Sequence, residues 1–558
     1  LYNLDLKISV ECGLLESAFP SQISQRRYYL AIPSLFAEIY RNMRTKLVFL
    51  ILFGLGLISH SFSQTAIFPA SGTLYDNVLH EIRIVIPPDS LADLLKPENR
   101  WTNHKYPANL VYDGKDTLVN VGIRIRGNTS RNAKRLAFRI DLDEFAEQNF
   151  QGIKTFHLKG EHNDPSLLRQ WICSQVLLRA GIPGYRVNPV KVYFNSVYQG
   201  LYMQVEHVGK TFLDSRLGNK KGNLFKCTWP ADLDYLGTNQ TAYKAIINPS
   251  PLNERAYELQ TNESADDYSM LVNLIQVVNS TPSAELEQKL NQVFEVDAYL
   301  NLLAAEVLLG HWDNYFFNKN NYYLYFHSET GKAHYFSYDL DNTLGVEWSV
   351  PDIGSRDINN WGNLSWSKSP LTYKILSVPA FKDSYNRKIK WLCEEVFNES
   401  LFPMIDSMKA QISSAVQTDP FYAGQRESDY GFDFADWNQS FTGSLGGHVK
   451  NGIKPYITQR KNSALAQVKL STGSYENFGY KSPIFINPIA DGILRYEIFE
   501  APVRIRLYSL TMEFLMEWEL ASSGTGVLHL NHLASGVYFL EYKHGDDSVR
   551  LLRMVVGS

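Results

Sequence analysis

Cysteine is scarce. The 558 residues hold four, Cys12, Cys173, Cys227 and Cys393, at wide spacing, with no Cys-x-x-Cys pair and no Cys/His zinc pattern. A disulfide framework and a zinc module are thereby excluded. The fold must rest on its hydrophobic core, which a chain 44% hydrophobic and 20% charged can build. Charge of one sign is lacking as well: 54 Lys and Arg against 58 Asp and Glu leave a net charge of −4. That balance gives no electrostatic case for nucleic acid or anionic lipid as a bulk partner. Long apolar runs are missing too. The run Leu47 to Ile58 has 12 residues, short of the ~20 that a membrane span needs.

What that run does fit is a secretory signal. Arg41, Arg44 and Lys46 flank its start, and small residues follow from Ser59 to Gln64. The expectation is a signal peptide over 43–64. The chain opens on Leu1 and its first methionine is Met43, so residues 1–42 are read as an over-extended reading frame outside the mature fold. Residues 65–470 mix strands and helices. A stretch rich in Ser, Gly, Tyr and Asn, 471–483, reads as a linker. From residue 484 to 558 short strands recur between turns, as in a small β-sandwich. The fold class is α+β: a domain with an antiparallel sheet and a helical lobe, then a small all-β sandwich domain.

The chemistry gathers in the stretch His311 to Gly345. A helix, Val296 to Gly310, leads into a polar loop with Asp313, Asn314, Asn318, Asn320 and Asn321. The strands Tyr322 to Phe326 and His334 to Tyr338 follow, and the second runs into Asp339-Leu340-Asp341. An antiparallel hairpin would bring the asparagines and the Asp-x-Asp pair to one edge. Carboxylates and amides converging there suit a hard cation with oxygen ligands. Asp339 and Asp341, at i and i+2, would share a strand face. A turn cap or a calcium site is the alternative reading of such a pair.

Upstream, Val119, Val121, Ile123 and Ile125 alternate inward, as do Leu136, Phe138, Ile140 and Leu142. The loop between these strands carries Arg126, Gly127, Asn128, Ser130, Arg131, Lys134 and Arg135. It reads as an anion-binding loop or as an ordinary polar hairpin turn. A strand is expected over Thr155 to Lys159, then a helix from Leu167 to Ala180 capped by Asn163 or Asp164, with Pro165 in its first turn. Glu206 ends an apolar strand, and Lys226 follows in Asn223-Leu-Phe-Lys226. The two read as a phosphate-orienting ion pair of the kinase type or as two surface charges. The order Asp, Asn, hairpin, Asp parallels the order of protein-kinase catalytic parts, although His-Arg-Asp and Asp-Phe-Gly tripeptides are absent.

Taken together, these motifs resemble the CotH kinase family of secreted, spore-coat-type atypical protein kinases. The motifs are Arg126-Gly-Asn-Thr-Ser-Arg131, Asp164-Pro-Ser-Leu-Leu-Arg169, Val192 to Tyr202 with Glu206, Asn223 to Lys226, Asp313 with Asn321-Tyr-Tyr-Leu-Tyr325, and Asp339-Leu-Asp341. The resemblance spans roughly residues 75–470. It implies phosphorylation of Ser or Thr in exported or surface proteins with ATP and Mg²⁺ or Mn²⁺. Asp313 then matches the catalytic Asp. Asn321, Asp339 and Asp341 fall to the metal. Arg126, Asn128, Ser130, Arg131, Lys134, Arg135, Glu206 and Lys226 fall to the nucleotide phosphates. Leu136 stands where many members carry a second Lys. The C-terminal part, with Asn487-Pro488, Leu533 to Tyr538 and Arg553, resembles the sorting domain of the type IX secretion system of Bacteroidetes. It implies export through the periplasm of a Gram-negative cell to the surface or medium, with that machinery as a partner. Two other classes stand beside the kinase: a non-catalytic kinase-like protein of the cell surface, and a calcium-stabilised carbohydrate-binding protein.

Overall fold

The computed structural model describes residues 72–470 apart from 349, 351 and 363–368, and within 484–556 the strands and a few flanking positions. The signal region 43–64, the stretch 1–42 and the linker 471–483 lie outside the described residues.

Alternating sequence builds the first lobe. Strands β1 (His80–Val85), β2 (Tyr106–Tyr112), β3 (Asp116–Arg126), β4 (Ala137–Asp141), β5 (Thr155–Lys159), β6 (Val187–Phe194) and β7 (Val197–Glu206) form a closed barrel in the order β1-β2-β3-β4-β5-β7-β6. The expected antiparallel sheet is thus closed on itself by one parallel pair, β1 with β6, where His80 faces Val190. Closure leaves no sheet edge to protect. Ile82, Ile84, Ile123, Ile125, Phe138, Ile140, Leu158, Val190 and Val192 fill the interior.

The inward face of β3 is offset from expectation. Val119 is 50% exposed, while Leu118 and Val121 are buried. The ladder with β2 shifts between Ala108 and Leu110, and Asn120 takes φ +55°. A bulge of this kind reverses the alternation on either side.

The outer face of the same strands is polar and cationic. Arg124, Arg126, Arg139, His157 and Lys159 alternate with interior residues, and Arg124 pairs with Arg139, which pairs with His157. This face looks onto the second lobe. There β8 (Asn223–Cys227), β9 (Tyr257–Leu259), β10 (Tyr322–Phe326) and β11 (Ala333–Ser337) make an antiparallel sheet in the order β11-β10-β8-β9.

Helices α1 (Arg169–Arg179), α2 (Ser269–Ser280), α3 (Val296–Leu309), α4 (Pro379–Trp391), α5 (Phe402–Gln417) and α6 (Ile453–Gln467) surround that sheet. One core joins them to the Met203 and Val205 face of β7. Helix α3 is buried along almost its whole length and stops at Gly310, φ +74°. Helix α1 begins two residues later than its apolar spacing predicts. Leu167 is held at φ +60°, and Asp164 caps from a distance, accepting from the backbone N–H of Ser166 and of Arg169, both at 2.8 Å.

Further along, the described residues between Ile484 and Val556 include seven strands in two sheets, one of three strands and one of four. Leu494 and Leu528 of the first, with Leu530 just past its strand, cluster with Val503, Ile505, Leu507 and Leu540 of the second. No helix of the described residues is long and apolar enough to cross a membrane.

Candidate active site

The site forms where α3 empties into the β10–β11 hairpin. Tyr322 pairs with Ser337, and the Tyr338 N–H donates to the Asn321 carbonyl at 2.9 Å. The two ends of the hairpin therefore meet, as the strand order predicts. The Asp-x-Asp pair does not lie on a strand face, however. The strand ends at Ser337, and Asp339 sits in the left-handed region at φ +58°. Lys319 and Asn321 do the same at +57° and +52°. Three such residues in one loop pair carry a backbone cost that surrounding contacts must hold in place.

Those contacts centre on Asp313. Its Oδ1 accepts from the side-chain amides of Asn318 at 2.5 Å and Asn320 at 3.2 Å, and its Oδ2 from Asn321 at 2.9 Å. Asn314 caps the next turn by accepting from the Phe317 N–H at 3.0 Å, and donates to Glu306 at 2.8 Å. Burial pushes the Asp313 carboxyl above its usual range, against the pull of Asn318 and Asn320. Asp339 adds to the rise, and Asp313 in turn raises Asp341. The three carboxylates act on one another within one site.

Lys159, at the end of β5, reaches across from the barrel. Its ammonium donates to Asp339 Oδ1 and to Asp341 Oδ2, the latter at 3.2 Å. Burial opposes the Lys159 charge, but Asp339, Asp341 and Glu161 outweigh it and hold its pKa well above the ordinary value. The two aspartates are driven apart. Burial and the Asp339 charge push Asp341 up to about 7, whereas Lys159 outweighs burial at Asp339 and lowers it. Among the described residues, Asp341 Oδ1 and both oxygens of Glu161 are buried without a hydrogen-bond partner. The strand can deliver Lys159 here because Gly160 follows it. A Cβ at that position would stand 2.8 Å from the Arg135 carbonyl oxygen.

Of the residues expected at the nucleotide, Arg126 lies in the site. It donates to the Tyr338 hydroxyl at 2.9 Å, which lies 3.0 Å from His157 Nδ1. Asn128 is tied in by a relay of amides: it donates to Asn248 at 3.1 Å, Asn248 donates to the Trp229 carbonyl at 2.9 Å, and the Trp229 N–H donates to Asn320 at 2.9 Å. Ser130 instead folds back over Gly127, which has φ +110° and where a Cβ would meet Ser130 Oγ at 1.9 Å.

The other four cations and Glu206 take structural partners. Arg131 is buried and donates to the carbonyls of Gly127 at 2.8 Å, Thr102 at 3.0 Å and Arg100. Lys134 pairs with Glu427 at 2.8 Å on the surface. Arg135 is buried against Asp419 at 2.7 Å. Glu206 does not meet Lys226: it is buried between Arg186 at 2.7 Å and Arg216 at 2.5 Å. Lys226 lies on the other sheet beside Glu254 at 3.4 Å and Glu258 at 3.9 Å. That pair is partly exposed, so Lys226→Ala is expected to change folding stability by no more than about 1 kcal/mol, read from urea unfolding.

The cation that reaches the aspartates is therefore Lys159, which motif reasoning passed over. Leu136 belongs to the barrel interior, so the departure there is a packing change, since a Lys in that apolar interior would have no counter-ion. Arg124 and Arg139 were missed as well. Arg139 pairs with Asp141 at 2.8 Å, while Arg124 has no carboxylate partner among the described residues. Burial and repulsion from Arg139, Arg131 and Arg126 push Arg124 down to about 10. The visible signal was the alternation of Thr155, His157 and Lys159 with Phe156 and Leu158.

A barrel lobe carrying cations, facing an acid–amide cluster on a helical lobe, defines a two-lobed α+β protein of kinase-like type. The chain belongs to the CotH kinase protein family, whose model matches residues 123–463, more than half of its length. It is similar to the inner spore coat protein H of Bacillus subtilis, 25% identical over 340 residues that cover 61% of this chain and 88% of that protein. It is also similar to the invasin CotH3 of Rhizopus delemar, 24% identical over 44% of this chain, and spans 40% of that protein's length. Among solved structures it matches the Helicobacter pylori proinflammatory kinase CtkA at 11% identity and a TM-score of 0.20, over 46% of this chain and 87% of that one. That last likeness is too slight to carry an argument.

Proposed function

We propose that this protein is an ATP- and divalent-metal-dependent protein kinase acting on Ser or Thr of exported or surface proteins. The observation that carries the reading is the convergence of Asp313, held by three amides, with Asp339, Asp341 and Lys159. Phosphoryl transfer asks for little else: cations on the phosphates, a metal, and a carboxylate at the attacking hydroxyl. Asp313 orients that hydroxyl and accepts its proton. Arg126 binds phosphate oxygens, and Arg124 extends the cationic face.

The donor set fits Mg²⁺ or Mn²⁺. Asp339, Asp341 and Asn321 offer hard oxygens, and Asp341 Oδ1 is buried with no hydrogen-bond partner among the described residues. A bound metal would neutralise developing charge on the transferred phosphoryl group. Export by a signal peptide and a type IX sorting domain in a Gram-negative cell belongs to the same proposal.

A second reading is a kinase-like surface protein without activity. One observation favours it: among the described residues no three of His, Cys, Asp and Glu stand at metal-binding spacing, with Lys159 bridging the two aspartates. Thermal unfolding separates the readings. A kinase is expected to melt several degrees higher with an ATP analogue plus Mn²⁺ or Mg²⁺, and to transfer radiolabel from ATP to itself or a generic substrate. Ca²⁺ alone should do neither. No nucleotide effect and no transfer would favour the second reading; stabilisation by Ca²⁺ alone would point to a calcium-dependent binding protein.

A further inference from the structure

We propose that Glu161 receives the Lys159 ammonium when a divalent cation with its nucleotide takes Asp339 and Asp341, so that residues 159 and 161 exchange one cation for another. This rests on the reading of Asp339 and Asp341 as the metal-binding pair. In the present structure the ammonium bridges the two aspartates. It fills the position of a cation with one that the protein supplies. An ammonium and a dication cannot both sit between the same two carboxylates, because their charges repel at short range.

Displaced, the ammonium still needs a counter-ion, since Lys159 is only 6% exposed and an unpaired buried charge is costly. The neighbouring acids narrow the choice. Asp164 is spent on Arg169 and Ser166. Asp313 is spent on its asparagines. Glu161 is 2% exposed, and neither of its oxygens has a hydrogen-bond partner among the described residues. A carboxylate group buried in that way calls for an explanation. Burial holds the Glu161 carboxyl well above its usual range while Lys159 pulls it the other way, and Glu161 is one of the acids that raise Lys159. The two residues stand two apart around Gly160, with Glu161 turned by φ +50°.

The test uses the full chain and Mn²⁺, with free Mn²⁺ counted by electron paramagnetic resonance, with and without a non-hydrolysable ATP analogue. Metal-free melting temperatures check the fold. Lys159→Met removes the competing ammonium and is expected to tighten binding of Mn²⁺ alone. Glu161→Gln is expected to weaken binding of Mn²⁺ with the analogue by roughly 10–100-fold, the range for residues that act behind a metal's ligands. In the Lys159→Met background, Glu161→Gln should cost nothing further, because no ammonium needs placing. A penalty that persists there, or no penalty in the single variant, overturns the exchange. Should Glu161→Gln fail to fold, an unchanged Mn²⁺ affinity in Lys159→Met overturns it equally. Asp339→Asn reports separately: if that variant binds Mn²⁺ like the wild type, the metal-pair reading itself fails.

Discussion

Asp313→Asn is expected to lower ATP-dependent phosphoryl transfer by roughly 10²–10⁴-fold, the usual contribution of a positioned acid–base group, while leaving nucleotide binding near the wild-type level. The expectation follows from placement. Asp313 is set just past the αL stop of α3 at Gly310, and three asparagine amides fix both of its oxygens. A side chain held that firmly has lost its rotamer freedom before substrate arrives, which is what positioning for catalysis requires. Lys159 pairs with Asp339 and Asp341, whereas Asp313 is held by its asparagines, so binding and proton acceptance can be separated by mutation. The pH profile adds a second readout. Burial raises the Asp313 pKa, and only the ionised form accepts a proton. The rate should therefore fall on the acid side at a pH above the ordinary carboxylate range, near 4. Radiolabel transfer from ATP with Mg²⁺ or Mn²⁺ measures both effects, and a wild-type rate in Asp313→Asn would remove Asp313 from the mechanism.

How much of this was legible beforehand depended on sequence distance. The strands Thr155–Lys159 and Tyr322–Phe326 and the helix from Val296 were readable to within a residue, because alternation, an aromatic run and a glycine stop are local signals. The meeting of Asn321 with Tyr338, and so of Asp313 with Asp339, was readable because one hairpin register sets it. Barrel closure was not, since it joins His80 to Val190 through a parallel pair that no local pattern encodes. The phase of β3 was lost at a bulge, where Val119 and Asn120 both face outward. Ion-pair partners were lost for a related reason. Glu206 and Lys226 lie 20 residues apart in sequence but on different sheets, and charge alone does not say which sheet a strand joins. Lys159 stood only as the last residue of an expected strand. Its pairing with Asp339 and Asp341 follows from the outer face of β5 lying against the Asp339 turn.

The mispaired Glu206 carries the largest expected effect on stability. Glu206→Gln should lower the unfolding free energy by about 3–5 kcal/mol, the cost of breaking a buried ion pair by removing one partner. Glu206 lies between two arginines and accepts from both. Arg186 donates to it from the backbone N–H at 3.0 Å, from Nε at 3.0 Å and from Nη2 at 2.7 Å, and Arg216 from Nη1 at 3.2 Å and Nη2 at 2.5 Å. Neutralising it leaves two buried guanidinium groups facing an amide. Burial alone would raise the Glu206 pKa, but Arg216 and Arg186 outweigh it and lower the carboxyl below its usual value. Because the folded pKa is depressed, the Glu206 contribution is fully present above the unfolded value of about 4.3 and is lost as pH falls through the folded one. Wild type and Glu206→Gln should therefore differ most near neutral pH and converge in acid, as followed by tryptophan fluorescence in urea. The consequence reaches the site through the ladder. Val205 and Met203 of β7 pair with His157 and Lys159 of β5, so a β7 loosened at Glu206 takes the strand that carries Lys159 with it. Equal stability of the two proteins at neutral pH would show that the arginines find other partners.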